Sequence, residues 1–263
     1  MIHELNHVGI RNRDMERTLA FHAALGAQVV FDRMIPGAGT RIVYLQLGEG
    51  LVEYICAPDP GEDFILGIDH LAFLTDDLDR DYARLLEAGA TEAVAPKPAG
   101  TGVGRIAFLH VGAARIELLE RDLEMRRPPR TDGLVADLDH YTLATADPAA
   151  TAAFLTDVIG LSPLATADVD DGFARRYLGL GADAVGLIAA DDEHESGAFP
   201  SVALRVADVG AALAELARRG LTDLVEGDGA GEQDGRRAVL RDPDGIRFEL
   251  LDRPTLPSAP VPA

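Results

Sequence analysis

The 263-residue sequence lacks several features that would each define a class of protein. Its single cysteine, Cys56, excludes an internal disulfide, a zinc ribbon and an iron–sulfur cluster held by this chain alone. No apolar run reaches the roughly 18 residues that a membrane-spanning helix needs, because Asp69 and His70 interrupt the most apolar stretch, residues 64–74. The first residues lack the basic and apolar segments of a secretory signal. We therefore expect a cytoplasmic protein without a membrane segment.

Basic residues are also scarce. The chain has 24 Lys and Arg against 44 Asp and Glu, which gives a formal net charge of −20. A surface this acidic repels phosphate backbones and anionic lipids, so we expect neither a nucleic-acid partner nor a membrane partner. Hydrophobic residues make up 47% and charged residues 26%, which is typical of globular proteins, and the length predicts about two domains.

Four segments of the chain share one order of features: an apolar strand, a polar turn, an amphipathic helix and a glycine. The interval from a fixed strand position to the glycine is 19, 19, 20 and 19 residues. Glycine suits the left-handed residue that ends a helix, and the helices are predicted over residues 15–25, 78–88, 149–159 and 209–219. Short β-like runs follow the glycines, so each segment is predicted to be a βαβββ unit.

These units predict an α+β fold of two domains, each a pair of units that forms a curved mixed sheet around a cavity with helices outside. A proline-rich charged segment, residues 126–133, separates the second unit from the third. We therefore predict domains over residues 1–124 and 134–253. The proline-rich tail, residues 254–263, is expected to be flexible.

In the first domain, polar residues recur in register within apolar strands. His7 precedes Glu53 by 46 residues, and His70 precedes Glu117 by 47. Strand alternation allows all four side chains to face one cavity if the two units pack as a pair. Two imidazoles and two carboxylates suit a divalent ion such as zinc, nickel, cobalt, iron or manganese, and they leave coordination positions for a substrate. For any one of these residues alone, the simpler interpretation is a packed or solvated strand residue. Because all four share the same register, we favour a metal site.

The second domain retains only part of this set. His140 and Glu249 occupy two of the corresponding positions, whereas Gly186 and Ser201 occupy the other two. Two ligands do not make a strong site. His140 and Glu249 are therefore interpreted as relics or as substrate contacts.

Residues 47–55 and 96–119 resemble the corresponding segments of methylmalonyl-CoA epimerase. On these segments and the repeated units, residues 1–252 resemble the vicinal oxygen chelate superfamily. That superfamily includes glyoxalase I, the epimerases, the extradiol dioxygenases and the fosfomycin- and bleomycin-resistance proteins. The resemblance implies that Glu53 is a metal ligand. It also aligns Arg11 with an arginine of glyoxalase I that binds the glutathione carboxylate.

The expected function is that of a metal-dependent isomerase, epimerase or lyase. A small oxygenated substrate would chelate the ion, and protons would move at the carbon next to its carbonyl. Glu53 and Glu117 are the predicted catalytic residues, one removing a proton and the other delivering one. The predicted substrate-binding residues are Arg11, Tyr44, Arg105 and His110.

Two other classes of function stay open. An antibiotic-type binding protein would use the same cup without metal chemistry. A ring-cleaving dioxygenase would carry a two-His, one-Glu iron site in the second domain, where Ser201 interrupts it. A homodimer is one arrangement that the superfamily suggests for this chain.

Overall fold

A computed structural model describes residues 1–58, 66–130, 132–168, 174–192, 195–221, 225–230, 236–253 and 256. The first domain contains these elements in chain order: β1 (Ile2–Arg11), α1 (Met15–Leu25), β2 (Gln28–Met34), β3 (Arg41–Leu47), β4 (Gly50–Cys56), β5 (Gly67–Thr75), α2 (Leu78–Glu87), β6 (Thr91–Pro98), β7 (Arg105–Val111) and β8 (Ala114–Glu120). The second domain repeats the order: β9 (Val135–Thr145), α3 (Pro148–Phe154), β10 (Ser162–Asp168), β11 (Ala174–Leu180), β12 (Asp183–Ala189), β13 (Ser201–Val206), α4 (Val209–Arg218), β14 (Val225–Ala230), β15 (Arg236–Arg241) and β16 (Arg247–Leu251).

The four α-helices of the described residues begin in the same way, because an aspartate precedes each one and caps its first turn. The carboxylates of Asp14, Asp77, Asp147 and Asp208 accept hydrogen bonds from backbone N–H groups two or three residues later. Such caps satisfy donors that a helix leaves unpaired at its start. The predicted helices are confirmed to within one or two residues at their ends.

The structure of the third unit explains why its interval from the strand position to the glycine is 20 residues, one more than in the other three units. Its helix continues from α3 into a π-helical turn, Leu155–Ile159, before Gly160 ends it in the left-handed region at φ 103°. A π turn adds one residue to the helix without changing what the helix connects. The glycine is therefore displaced by one position along the sequence.

The two sheets of the described chain have eight strands each and the same topology. The first has the order β2-β3-β4-β1-β5-β8-β7-β6, and the second the order β10-β11-β12-β9-β13-β16-β15-β14. Within a sheet the units join through their first strands, which run antiparallel, while β1 pairs with β4 and β5 pairs with β8 in parallel. The predicted α+β fold of four βαβββ units is confirmed, and the arrangement places β4, β1, β5 and β8 side by side at the centre.

The two sheets share one apolar core. The Phe21 and Phe248 ring centroids are 5.9 Å apart across the domain contact, and the Tyr141 hydroxyl donates to the Leu51 carbonyl at 3.3 Å. Of the predicted tail, the structure describes only Leu256, which is buried against Tyr177. The remaining tail residues lie outside the described residues, and the domain limits at 124 and 134 stay predictions.

Candidate metal centre and adjoining cavity

The four predicted ligands lie on the four central strands of the first sheet. His7 is on β1, Glu53 on β4, His70 on β5 and Glu117 on β8. Strand register aligns them: Gly9 of β1 is opposite both Glu53 and His70, and Ala72 of β5 is opposite Glu117. The shared topology of the two units therefore brings one His and one Glu from each unit to the same place.

The four side chains converge within ion-binding distance. His7 Nε2 lies 3.3 Å from Glu117 Oε2 and 3.6 Å from Glu53 Oε2, and His70 Nε2 lies 3.5 Å from the same oxygen of each glutamate. One donor atom from each residue lies within 4.8 Å of the others. An ion about 2.1 Å from four tetrahedral donors sets them about 3.4 Å apart, so the spacing suits a metal ion.

Both imidazole rings are oriented by the residue before them. The register of β1 shifts around Asn6, and that of β5 shifts around Asp69, as expected for bulges that turn two consecutive side chains to one side. His7 Nδ1 donates to Asn6 Oδ1 at 3.0 Å, and His70 Nδ1 donates to Asp69 Oδ2 at 3.0 Å. Burial lowers the pKa of His70, but its contacts with Asp69, Glu117 and Glu53 outweigh burial and raise that pKa well above its ordinary value. When a ring is neutral, as metal binding requires, its lone pair is on Nε2, which faces the carboxylates.

Asp69 is itself held by two arginines. Arg11 Nε lies 3.0 Å from Asp69 Oδ1, and the Arg115 guanidinium donates to Asp69 Oδ2. Burial raises the pKa of Asp69, but the hydrogen bond from His70 and the two arginines outweigh burial and keep that pKa below its ordinary value. Asp69 is therefore a stable anionic partner for His70.

The residues present fit a divalent ion. His7 Nε2 and His70 Nε2 are buried and have no hydrogen-bond partner among the described residues. Burial raises the pKa values of Glu53 and Glu117, but their contacts with His7 and His70 outweigh it, so both pKa values lie below the ordinary range. Two unpartnered imidazole nitrogens that face two carboxylates form the donor set that borderline divalent ions prefer.

Gly9 makes room for the site. A Cβ atom built on Gly9 would lie 2.0 Å from Cε1 of His70, far inside contact distance. The His70 ring thus lies directly over the backbone of β1. Any side chain at position 9 would displace this ring from the other three groups.

A cavity of about 100 Å³ adjoins the four groups. Glu53, His70 and Glu117 form one part of its wall, and the loop of residues 99–104 between β6 and β7 forms another. Tyr44, also in the wall, packs edge-on against His7 with ring centroids 5.0 Å apart. The structure thus places Tyr44 in the wall of this cavity, and its role in substrate binding stays a prediction.

The other predicted substrate-binding residues lie elsewhere. Arg105 is next to the cavity-lining Ile106 on β7, so its side chain points to the opposite face, where it pairs with Asp79 of α2. His110 has the same parity as the cavity-lining Phe108 but lies at the far end of β7, opposite Arg115, outside this cavity. Arg11 pairs with Asp69, the residue that accepts the hydrogen bond from His70.

Sequence reasoning missed Arg121, which lines the cavity one residue after β8. Its Nη2 donates to Asn6 Oδ1 at 2.9 Å, and its guanidinium carbon lies 5.8 Å from the centre of the Tyr44 ring. Arg253 follows β16 at the matching place in the second domain. Comparison of the two halves of the sequence beyond their strands would have revealed this pair.

The corresponding place in the second domain does not have the same four groups. His140 donates from Nδ1 to Asp139 Oδ1 at 2.8 Å, repeating the orientation seen in the first domain. The Ser201 hydroxyl, however, donates to Glu249 Oε1 at 2.7 Å. No second cluster of metal-binding groups is found among the residues that the structure describes.

Paired βαβββ units around a buried His–Glu cluster define a class of metal-binding proteins. A family model described as the Glyoxalase/Bleomycin resistance protein/Dioxygenase superfamily matches residues 4–118 and 137–250. The chain belongs to this superfamily. A comparison with curated proteins finds no match.

Similar solved structures share the fold at low sequence identity. The 2,3-dioxygenase LapB from Pseudomonas sp. KL28 is 19% identical with a TM-score of 0.72, covering 97% of this chain and 94% of LapB. A variant of homoprotocatechuate 2,3-dioxygenase from B. fuscum is 16% identical with a TM-score of 0.72, covering 99% and 75%. A variant of 4-hydroxymandelate synthase from Streptomyces coelicolor is 17% identical with a TM-score of 0.68, covering 98% and 94%.

In the described residues of this chain, no helix has the length and apolarity needed to span a bilayer.

Proposed function

We propose that the first domain is a divalent-metal-dependent enzyme that isomerises, epimerises or cleaves a small oxygenated substrate by proton transfer next to a carbonyl. The observation that carries this proposal is the convergence of His7, Glu53, His70 and Glu117 with both imidazole Nε2 atoms buried and unpartnered. All four residues are the proposed metal ligands. A divalent ion bound there supplies Lewis-acid stabilisation of negative charge on a substrate oxygen.

Glu53 and Glu117 are proposed to move the proton. Their strands, β4 and β8, flank the two histidine strands, so the carboxylates approach the cavity from opposite sides. One carboxylate accepts the proton from the substrate carbon, and the other returns a proton to the opposite face of that carbon. Their lowered pKa values keep both ionised at neutral pH, as the accepting group requires; the delivering carboxylate first takes up a proton from solvent water and then transfers it to the carbon.

Proton exchange tests this proposal. The purified protein is incubated in deuterated water with short 2-oxo and 2-hydroxy compounds, before and after removal of metal by a chelator. We expect deuterium at the carbon next to the carbonyl, loss of exchange after chelation and recovery when a divalent ion is returned. Exchange that survives chelation, or no exchange with any of the compounds, would contradict the proposal.

Ring cleavage is the second candidate function, because most of the similar solved structures with this fold are 2,3-dioxygenases, and they come from several organisms. Non-haem iron oxygenases typically use two histidines and one carboxylate with open positions, whereas this cluster has a second carboxylate. In the second domain the hydroxyl of Ser201 binds Glu249. Ring cleavage predicts iron-dependent oxygen consumption with catechols, and an antibiotic-type binding protein predicts ligand binding with neither oxygen consumption nor proton exchange.

A further inference from the structure

Arg121 presents an uncompensated positive charge to the cavity beside Glu53 and Glu117. Its Nη2 donates to the amide oxygen of Asn6, and its Nη1 lies 3.6 Å from Met125 Sδ. In the described part of the chain, no carboxylate oxygen lies within ion-pair distance of its guanidinium. Because a guanidinium has five N–H donors, most of them stay available to a ligand.

The second domain shows the same arrangement with its charge neutralised. The guanidinium carbon of Arg253 lies 4.7 Å from the centre of the Tyr177 ring, as Arg121 lies over Tyr44. Arg253 Nη2, however, donates at 2.5 Å to a carboxylate, that of Asp139, where the first domain has an amide. Leu256 packs against Tyr177 on that side, and the domain lacks the four-residue cluster. Among the described residues, Arg121, in the domain with the four-residue cluster, therefore has no carboxylate partner. Arg253, in the domain without the cluster, has one.

Charge balance indicates what the cavity accepts. Glu53 and Glu117 contribute two negative charges, a divalent ion would contribute two positive charges, and Arg121 leaves one positive charge in excess. A ligand with one negative charge balances it. The planar guanidinium matches a carboxylate, which it can bind through two parallel hydrogen bonds.

The cavity also limits the size of the ligand. Its volume of about 100 Å³ is well below the roughly 300–1,000 Å³ of pockets that bind drug-sized ligands. Most of its wall is apolar, with side chains such as Ile42, Val103 and Phe108. The space suits a compact ligand of a few non-hydrogen atoms with one charged end.

We propose that Arg121 binds the carboxylate of the substrate, and that the substrate is a short 2-oxo or 2-hydroxy acid. This inference rests on the proposed function and names its substrate class. Asn6 orients the guanidinium without neutralising it, and the same amide oxygen accepts the hydrogen bond from His7 Nδ1. Asn6 therefore contacts both Arg121, the proposed substrate-binding residue, and His7, a proposed metal ligand.

A matched pair of probes isolates the charge. Pyruvate and its neutral isostere pyruvamide are titrated into the metal-loaded protein by calorimetry, which measures affinity independently of turnover. We expect the wild-type protein to prefer pyruvate at least about tenfold, since hydrogen bonds between charged groups contribute more than neutral ones. The variant R121M should lose about tenfold or more in affinity for pyruvate and change little for pyruvamide.

Two further variants separate recognition from folding. Asn6→Asp reproduces the ion pair of the second domain, so it should abolish the preference for pyruvate although Arg121 is retained. Arg17→Met removes one positive charge from the exposed face of α1 and should leave both affinities unchanged. Thermal unfolding of each variant verifies that it is folded.

The possible outcomes distinguish failure of the proposed substrate class from failure of the proposed reaction. An equal loss for both probes in R121M, an unchanged preference in that variant, or a wild-type protein that does not bind pyruvate would each overturn the inference. Proton exchange with neutral ketones but without a preference for pyruvate would leave the proposed reaction standing and the substrate class refuted. A preference for pyruvate that depends on Arg121, without proton exchange, would support the binding role and refute the reaction.

Discussion

At the scale of single residues, Glu117 combines two roles that a substitution can separate. Its carboxylate is a proposed metal ligand and a proposed proton carrier, and it lies 3.3 Å from His7 Nε2. An amide in its place keeps an oxygen that can bind a cation but cannot accept a proton as a base.

We expect Glu117→Gln to lower proton exchange by about 10²–10⁴-fold, the usual contribution of a general acid or base. Metal content and the unfolding transition should stay close to those of the wild-type protein. Exchange measured by NMR in deuterated water, beside elemental analysis of the same sample, tests this. Full exchange activity in the variant would remove Glu117 from the mechanism.

Asp183 permits a residue-scale prediction outside the site. Burial raises its pKa to about 8; Arg126, 4.0 Å away, opposes this, whereas Asp137 and Glu4 add to it. The folded state therefore holds a proton that the unfolded state, with a pKa of about 3.9, releases first. The contribution of Asp183 to stability is greatest below about pH 4 and is lost as the pH rises to about 8.

Asp183→Asn removes this ionisation while keeping the shape of the side chain. We expect the variant to be more stable than the wild-type protein by a few kcal/mol at pH 9, with a much smaller difference at pH 4. Urea unfolding of both proteins at the two pH values measures the difference. A stability difference that does not change with pH would show that Asp183 is not protonated in the folded protein.

At the scale of elements, the bulges of β1 and β5 are as important as the ligands they precede. They direct Asn6 and Asp69 to the same side as His7 and His70, which fixes the Nδ1 hydrogen bond of each ring. Such partners of metal-binding histidines typically contribute 10–100-fold to metal affinity.

We expect Asp69→Ala to weaken binding of a divalent ion by about 10–100-fold. Asp69→Asn should restore most of the affinity, because an amide oxygen accepts the same hydrogen bond, as Asn6 does for His7. Competition with a chromogenic chelator gives the affinities. Equal affinities for the alanine variant and the wild-type protein would refute the orienting role.

At the scale of elements, part of the fold and of the site could be predicted from the sequence and part could not. The helices, the βαβββ repeat and the four-residue cluster follow from spacing, because a strand period of two and a repeated unit fix which side chains share a face. To predict which face of the sheet the Arg105 side chain points to, the exact register of β7 must be known, because a shift of one residue turns the side chain to the opposite face. Arg121 lies after a strand, where no periodicity applies, so spacing could not place it in the cavity.

At the scale of the whole molecule, two copies of one architecture have diverged in their chemistry. Both sheets have the same strand order and both keep a histidine oriented by the residue before it. Only the first sheet brings two histidines and two glutamates together among the described residues. The second sheet packs against the first through a shared apolar core, so its preserved fold contributes to stability without a second cluster.

The metal content of the whole chain tests the central claim most directly. Protein purified without chelator is reconstituted with zinc, nickel, cobalt, iron or manganese, and bound metal is measured per chain for the wild-type protein and for His70→Ala and His140→Ala. We predict one divalent ion per chain, lost in His70→Ala and retained in the matched His140→Ala variant. No bound ion in the wild-type protein, or loss of the ion in His140→Ala but not in His70→Ala, would contradict the account.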